Sequence, residues 1–342
     1  MRHRTFLWFI LPSLAAMFLF IALPIVSVAI QSLFVEHEQV IIVSENCGPF
    51  GCTKETRIDT QSTAKLREDK PLGQFNGLGT YANHNHIAAQ SVKNAWQKSI
   101  NLTDFGSRLM NLPLYKALAF TLTYTFLVAP IVLVLGLLIA LGVNMLPRVL
   151  RGPTIFASLL PMIVTPLIGS LILFWMIDAN GIIGQTLQYL FEDPELSLKA
   201  SVPLTWITLI VYGIWHNTPF AFIVFYAGLQ TVPEDTLEAA FIDGANRWAR
   251  VRFVVIPHLM PLVTFIMLMQ LMDGIRVFEP IVGFSAGANA SSLSTLIFND
   301  LRGDYQQFSS AAATSILTIL GVAILLTPVL IRTWRDFNRK RV

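Results

Sequence analysis

Six runs of apolar residues, at positions 6–32, 117–146, 154–177, 203–229, 259–283 and 309–331, limit this chain more than any other feature. Each is long enough to cross a hydrocarbon layer about 30 Å thick, which takes about 20 helical residues. With no water to satisfy backbone N–H and C=O groups in that layer, such runs are stable as helices. The composition agrees, since 54% of residues are hydrophobic and 13% charged, against roughly 25% charged in soluble domains. The expected fold class is an all-α polytopic membrane protein with six transmembrane helices.

Lys and Arg set the expected direction of insertion, because they favour the cytoplasmic side. Arg2 and Arg4, Arg148 and Arg151, Arg247, Arg250 and Arg252, and the tail Arg332, Arg335, Arg339, Lys340 and Arg341 all fall on one side of the alternation. The two shorter loops on the other side hold only Lys199 and Arg302. Both termini, and the segment between the fourth and fifth runs, are therefore expected in the cytoplasm. The net charge of +3 reflects this topology and gives no argument for nucleic acid. Ser27-Val28-Ala29 loosely fits a small-x-small cleavage site. The run before it is too long for a usual signal core, so residues 1–33 are expected to be a retained anchor.

Residues 34–113 form a polar segment with eight basic and eight acidic residues, placed outside the cytoplasm by this topology. The only two cysteines, Cys47 and Cys52, bracket Gly48-Pro49-Phe50-Gly51, a turn able to bring them together. On the oxidising side of a bacterial membrane that spacing points to a structural disulfide. Two cysteines make half a structural zinc site, and C-x4-C is not the redox spacing. His84 and His86 lack a second pair of ligands and are expected to be solvated loop histidines. Gly77-Leu78-Gly79-Thr80-Tyr81-Ala82 formally satisfies a dinucleotide fingerprint but follows no apolar strand, so the match is chance. Gly283-Phe284-Ser285-Ala286-Gly287 formally satisfies a serine-hydrolase elbow, which needs a strand-to-helix turn that an all-helical chain does not supply.

Between the fourth and fifth runs lies TVPEDTLEAAFIDGANRWARVRFVVIP, residues 231–257. Pro233 suits a first helical position, and Glu234 and Asp235 complement the positive end of a helix. Leu237, Ala240 and Phe241 then share a face. Gly244 can take the left-handed conformation that ends a helix, after which residues 245–252 can form a second one carrying three arginines. A helix–glycine–helix elbow is expected to jut from the membrane.

This elbow resembles the coupling loop of the inner-membrane permeases of binding-protein-dependent ATP-binding cassette importers, whose pattern is E-A-A-x3-G-x9-I-x-L-P. Glu238, Ala239, Ala240, Gly244 and Pro257 match it, with Val254 and Ile256 as conservative replacements. The longer match is similar to the maltose/glycerol-phosphate-type carbohydrate permeases. Further resemblances lie in Gly77 to Ala82, in residues 114–125 (LYKALAFTLTYT), in Asn180-Gly181-Ile182-Ile183-Gly184 and in residues 308–320. Thr80, Phe120 and Gly184 stand where those boxes carry Asn, and Ala288 and Asn289 replace the Gly and Pro of a T-x-G-G-P loop.

The resemblance implies a core permease domain over 114–342 and coupling residues Leu237, Glu238, Ala239, Ala240, Phe241, Asp243 and Gly244. It implies as partners two cytoplasmic ATPase subunits, a second permease and an extracytoplasmic solute-binding protein. ATP and magnesium would be bound by those ATPases, since G-x4-G-K-[ST] does not occur in this chain. No cofactor, no metal and no enzymatic activity of its own is expected; the location implied is the bacterial inner membrane.

Two stripes interrupt oily helices. Gly213, His216, Asn217 and Phe220 lie at i, i+3, i+4 and i+7, and Gln270, Asp273, Gly274 and Val277 repeat that spacing with Arg276 and Glu279 close by. An ionisable group at membrane depth costs at least ~2.5 kcal/mol on insertion scales, so such groups face protein or a watery path. The two stripes form the candidate substrate pocket: Gly213, His216, Asn217, Phe220, Gln270, Asp273, Arg276 and Val277. In the resembling permeases the helices flanking the coupling loop also hold substrate. Asp273 and Arg276, at i and i+3, alternatively neutralise one another. A sugar, polyol or sugar derivative is the expected solute, with polyamines or phosphonates as the other class. A secondary transporter would show inverted repeats with matched broken helices.

Overall fold

A computed structural model of the chain describes residues 3–37, 41–48, 51–70, 72–83, 85–303 and 307–339. Among the described residues, five helices are long and apolar enough to cross a membrane, and a bent pair makes a sixth if it is one span. The chain divides into two compact units, Met1–Leu114 with Leu296–Ile319, and Tyr115–Thr295 with Leu320–Val342.

The first unit begins with a helix that runs His3–Met17, passes through a π-turn at Phe18–Ala22 and continues over Leu23–Gln31. None of its apolar window is buried, as befits a helix turned toward lipid. Among the described residues, strands occur only in the polar segment. Ile41–Gly48 pairs antiparallel with Gly51–Ile58, and Phe34–Val35 pairs with Gln74–Phe75. In the longer ladder Cys47 sits opposite Cys52. The disulfide expected there falls on side chains outside the described residues, as does His84.

His86 corrects the sequence reading. It is buried at 1% exposure, and its Nε2 lies 3.1 Å from the Ser310 carbonyl oxygen at the start of the last helix. Ser310 in turn donates to Asp300 Oδ2 at 2.6 Å, and Gln31 Nε2 donates to Ser309 Oγ at 3.2 Å. A histidine read as solvated is therefore a tie between the polar segment and the small-residue opening of the helix Phe308–Arg339. Nothing in the local pattern NHNH signals a partner more than 200 positions away.

The second unit is helical throughout its described residues. Its core forms where Pro113–Met145 packs with Val202–Leu229 and Arg247–Ile275, around Phe120, Leu209, Phe222, Phe225 and Ile266. Phe120 is fully buried, its ring edge-on to Trp206 at 5.1 Å. The position where the family carries Asn here fills space.

The third run is not one kinked helix. It is two, Arg148–Ile163 and Pro166–Met176, meeting at 91° with Val164 and Thr165 extended between them. The residue before a proline is pushed out of the α region, and Pro166 removes a donor the helix would need. A fourth-run side chain braces the break: Tyr212 Oη donates to Pro166 O at 2.9 Å.

The second elbow helix, expected over residues 245–252, does not stop there. The helix that starts at Arg247 runs through a π-turn at Val251–Val255 and on to Ile275. A wider turn just before a proline moves the ring away from the carbonyl on which an α-turn would press it. The first span uses the same device, with its π-turn ending two residues before Pro24.

Candidate functional site

Two features of the second unit carry the chemistry: a polar cavity among the helices and the elbow at their end. The cavity has a volume of about 470 Å3, within the ~300–1,000 Å3 of small-molecule sites. Tyr124 and Val128 come from the second run, Pro166 from the break, and Tyr212, Gly213, His216 and Asn217 from the fourth. Gln270, Asp273 and Gly274 come from the helix Arg247–Ile275, while Arg276, Val277, Glu279 and Pro280 follow it.

Two glycines make this arrangement possible. A Cβ on Gly213 would lie 2.2 Å from the Tyr124 hydroxyl, and one on Gly274 would lie 2.7 Å from Thr125 Oγ1. Small residues there let three helices close on one another and bring Tyr124 to the wall. The short helix Glu279–Gly283 packs against Pro166–Met176, with Ser170 Oγ donating to Leu167 O at 2.9 Å and lying 3.3 Å from Glu279 O.

The lining offers hydrogen-bonding groups whose other bonds are already made. Asn217 Nδ2 donates to Gly213 O at 2.8 Å, so its amide oxygen remains for a ligand. Tyr212 and His216 stack nearly parallel at 5.8 Å, and Tyr212 also holds the broken helix through Pro166 O. Arg276 Nη2 lies 2.6 Å from Asp273 Oδ1, and both side chains are at least half exposed. The neutralising pair and the pocket are thus the same residues. With Arg276 engaged by Asp273 and Glu279 also in the wall, the lining holds no spare positive charge for an anionic solute.

Seven of the eight pocket residues expected from sequence line this cavity. Phe220 does not; its ring lies 6.3 Å from that of Phe265. The fourth helix lines the cavity with Tyr212, Gly213, His216 and Asn217, one turn short of Phe220. Tyr212 is at i−4 from His216, a spacing that could have revealed it. Tyr124 carries no such local signal.

The elbow forms from a helix Glu234–Ile242 and the start of Arg247–Ile275. Pro233 is the N-cap and not the first helical residue. Gly244 has φ of 80°, its N–H reaches Phe241 O, and the Ala245 N–H reaches Ala240 O. That pair of bonds is a Schellman termination, which requires the left-handed residue. Asn246 caps the second arm by accepting from the Ala249 N–H at 2.8 Å. Leu237 and Ala240 turn inward, and Leu237 packs against the core. Glu238, Ala239 and Asp243 are exposed, while Phe241 (66%), Ile242 (82%) and Trp248 (72%) present large apolar groups. The outer apolar face is therefore Phe241, Ile242 and Trp248, without Leu237.

The departures from the family's T-x-G-G-P loop also have an outcome. Asn289 Nδ2 donates to Lys199 O at 2.9 Å, Trp206 Nε1 donates to Asn289 O at 3.1 Å, and Lys116 Nζ donates to Ala288 O. A polar latch holds the loop where the family uses Gly and Pro.

Apolar spans around a polar cavity, with an extramembrane elbow continuous with one cavity wall, define a membrane permease. The family model for the inner-membrane component of binding-protein-dependent transport systems matches residues 113–336, and the chain belongs to that family. A probable ABC transporter permease, y4oQ of Sinorhizobium fredii, is 27% identical over 72% of this chain and 79% of its own. The trehalose permease protein SugA of Mycobacterium tuberculosis is 30% identical over 66% and 72%, and the lactose permease protein LacF of Rhizobium radiobacter is 29% identical over 64% and 76%. Among solved structures, a chain of a bacterial ABC transporter involved in the import of the acidic polysaccharide alginate superposes with TM-score 0.60 at 18% identity, covering 80% of this chain and 96% of that one. That likeness concerns the fold. The chain is a multi-span transport component of the inner membrane.

Proposed function

We propose that this chain is one permease subunit of an ATP-driven importer of a sugar, polyol or sugar derivative, and forms half of the translocation path. The observation that carries the solute class is the cavity, where hydroxyl, amide and carboxylate groups stand beside stacked aromatic rings and the one arginine is ion-paired. Such a lining suits a neutral polyhydroxylated solute better than an anion. Relatives named for trehalose and lactose transport support the same class.

Energy comes from elsewhere. Two cytoplasmic ATPase subunits bind ATP and magnesium, and the exposed Phe241, Ile242 and Trp248 face docks into them. Gly244 sets the bend, while Glu238 and Asp243 supply charge contacts around it. Closure of the ATPases on ATP then moves the helices as a body, and each state contacts the solute differently, as any coupled cycle requires. A second permease completes the path, a solute-binding protein delivers to it, both termini lie in the cytoplasm, and Cys47 and Cys52 form a disulfide outside it.

The test is uptake of labelled di- and monosaccharides by vesicles holding the reconstituted complex with its binding protein. ATP-dependent accumulation of a neutral sugar, competed by unlabelled sugar, is expected. Accumulation that persists without ATP, or that only polyamines or phosphonates compete, overturns the reading.

A further inference from the structure

A second cavity, about 390 Å3, lies beneath the elbow. Its position follows from its lining: Met145 ends one span, Leu229 ends another, and Arg247 starts a third. It therefore opens where the spans leave the hydrocarbon layer. Arg247 and Arg250 line it and no acidic residue does. Among the described residues neither arginine makes an ion pair. Arg250 Nε is sealed from solvent without a hydrogen-bond partner, and the guanidinium lies 5.4 Å from the Phe241 ring centroid. A buried guanidinium N–H left unmade is costly, and a fork of such donors matches phosphate oxygens. The rest of the wall, including Leu141, Val232 and Leu237, is largely apolar.

We propose that this cavity binds an anionic phospholipid, with the headgroup phosphate on Arg247 and Arg250 and an acyl chain along the apolar wall. Basic pockets between helices at the cytoplasmic face take such headgroups. A free phosphate would leave the apolar wall unused, which is why the lipid is the favoured source. Because Leu237 belongs to the elbow helix and Val255 to the fifth span, a bound lipid bridges the two and sets how firmly the elbow is held. The site depends on the elbow lying at the cytoplasmic face but is independent of which solute is carried.

Native mass spectrometry of the assembled complex, delipidated and titrated with phosphatidylglycerol or phosphatidylcholine, tests it. Wild type should retain phosphatidylglycerol preferentially, Arg250→Gln should lower that retention about tenfold, and Arg250→Lys should lower it less. Arg335→Gln, which alters a basic residue outside the cavity, should leave it unchanged. Should Arg250→Gln fail to assemble, Leu141→Trp fills the wall without touching the charges and should displace the lipid equally. Equal retention of both lipids, or undiminished phosphatidylglycerol on Arg250→Gln or Leu141→Trp, overturns the proposal. Competition by millimolar inorganic phosphate would assign the site to a free anion instead.

Discussion

The polar cavity and the elbow belong to one compact unit, yet they are finished to different degrees. In the cavity several polar groups already have partners within the chain, as with Tyr212 on Pro166, Asn217 on Gly213 and Asp273 on Arg276. The elbow has a well-determined backbone, locked by the Gly244 termination and the Asn246 cap, but its side chains Phe241, Ile242 and Trp248 are left in solvent. Large exposed apolar groups on a rigid support are the kind of surface another protein covers. On the proposed function, the cavity meets a passing solute and the elbow a lasting neighbour.

If that contrast is right, the largest effects come from the elbow. Gly244→Val places a β-branched residue at φ of 80°, where nothing crowds it but the backbone is strained. Uptake and solute-stimulated ATP hydrolysis should fall at least ~tenfold while membrane insertion stays intact, whereas Gly244→Asn, which tolerates this conformation, should retain most activity. Full uptake by the Val variant would mean that the bend is dispensable. Next, replacing Phe241, Ile242 and Trp248 together by Ala should cut recovery of ATPase subunits in pull-downs by roughly tenfold or more, as expected where aromatic anchors carry an interface. Unchanged recovery would move the dock elsewhere.

Cavity variants should be gentler and should alter solute dependence while leaving the partners attached. Tyr212→Phe loses the bond to Pro166 O, which should lower stability by about 1 kcal/mol in a denaturant titration. An unchanged midpoint would show that the break holds itself. Smallest of all is Asp178, outside the spans, whose carboxyl is held below the usual range by the hydrogen bond from Lys199 at 3.0 Å. Its contribution is present at neutral pH and lost as pH falls through the lowered folded value. The thermal-midpoint gap between wild type and Asp178→Asn should thus be slight near pH 7 and shrink further as acid protonates the carboxylate; a gap that widens on acidification contradicts the assignment.

The same contrast explains which parts of the fold and of the site are legible in the sequence. Length and hydropathy locate the spans, and Gly244 announces its turn, because these depend on local chemistry alone. Helical periodicity finds Gly213, His216, Asn217, Gln270 and Asp273, since a face of a helix is also local. It runs one turn too far, to Phe220, because spacing defines a face but not the neighbour it meets. For the same reason it turns Leu237 outward. Pro166 marks the break locally but not its 91° angle, while Tyr124 in the cavity wall and the buried His86 depend on contacts between distant segments, which no window of sequence contains.

One further consequence lies in the uninterrupted run from Arg247 to Ile275. Gln270 stands 23 residues beyond Arg247, about 35 Å along the axis at 1.5 Å per residue. If a single rod joins nucleotide machinery to solute, thermodynamic reciprocity applies: what ATP does to solute affinity, solute must do to nucleotide affinity in equal measure. An empty binding chamber would then report its vacancy to the motor, and wasteful turnover would be restrained by the same stretch of backbone that transmits the stroke.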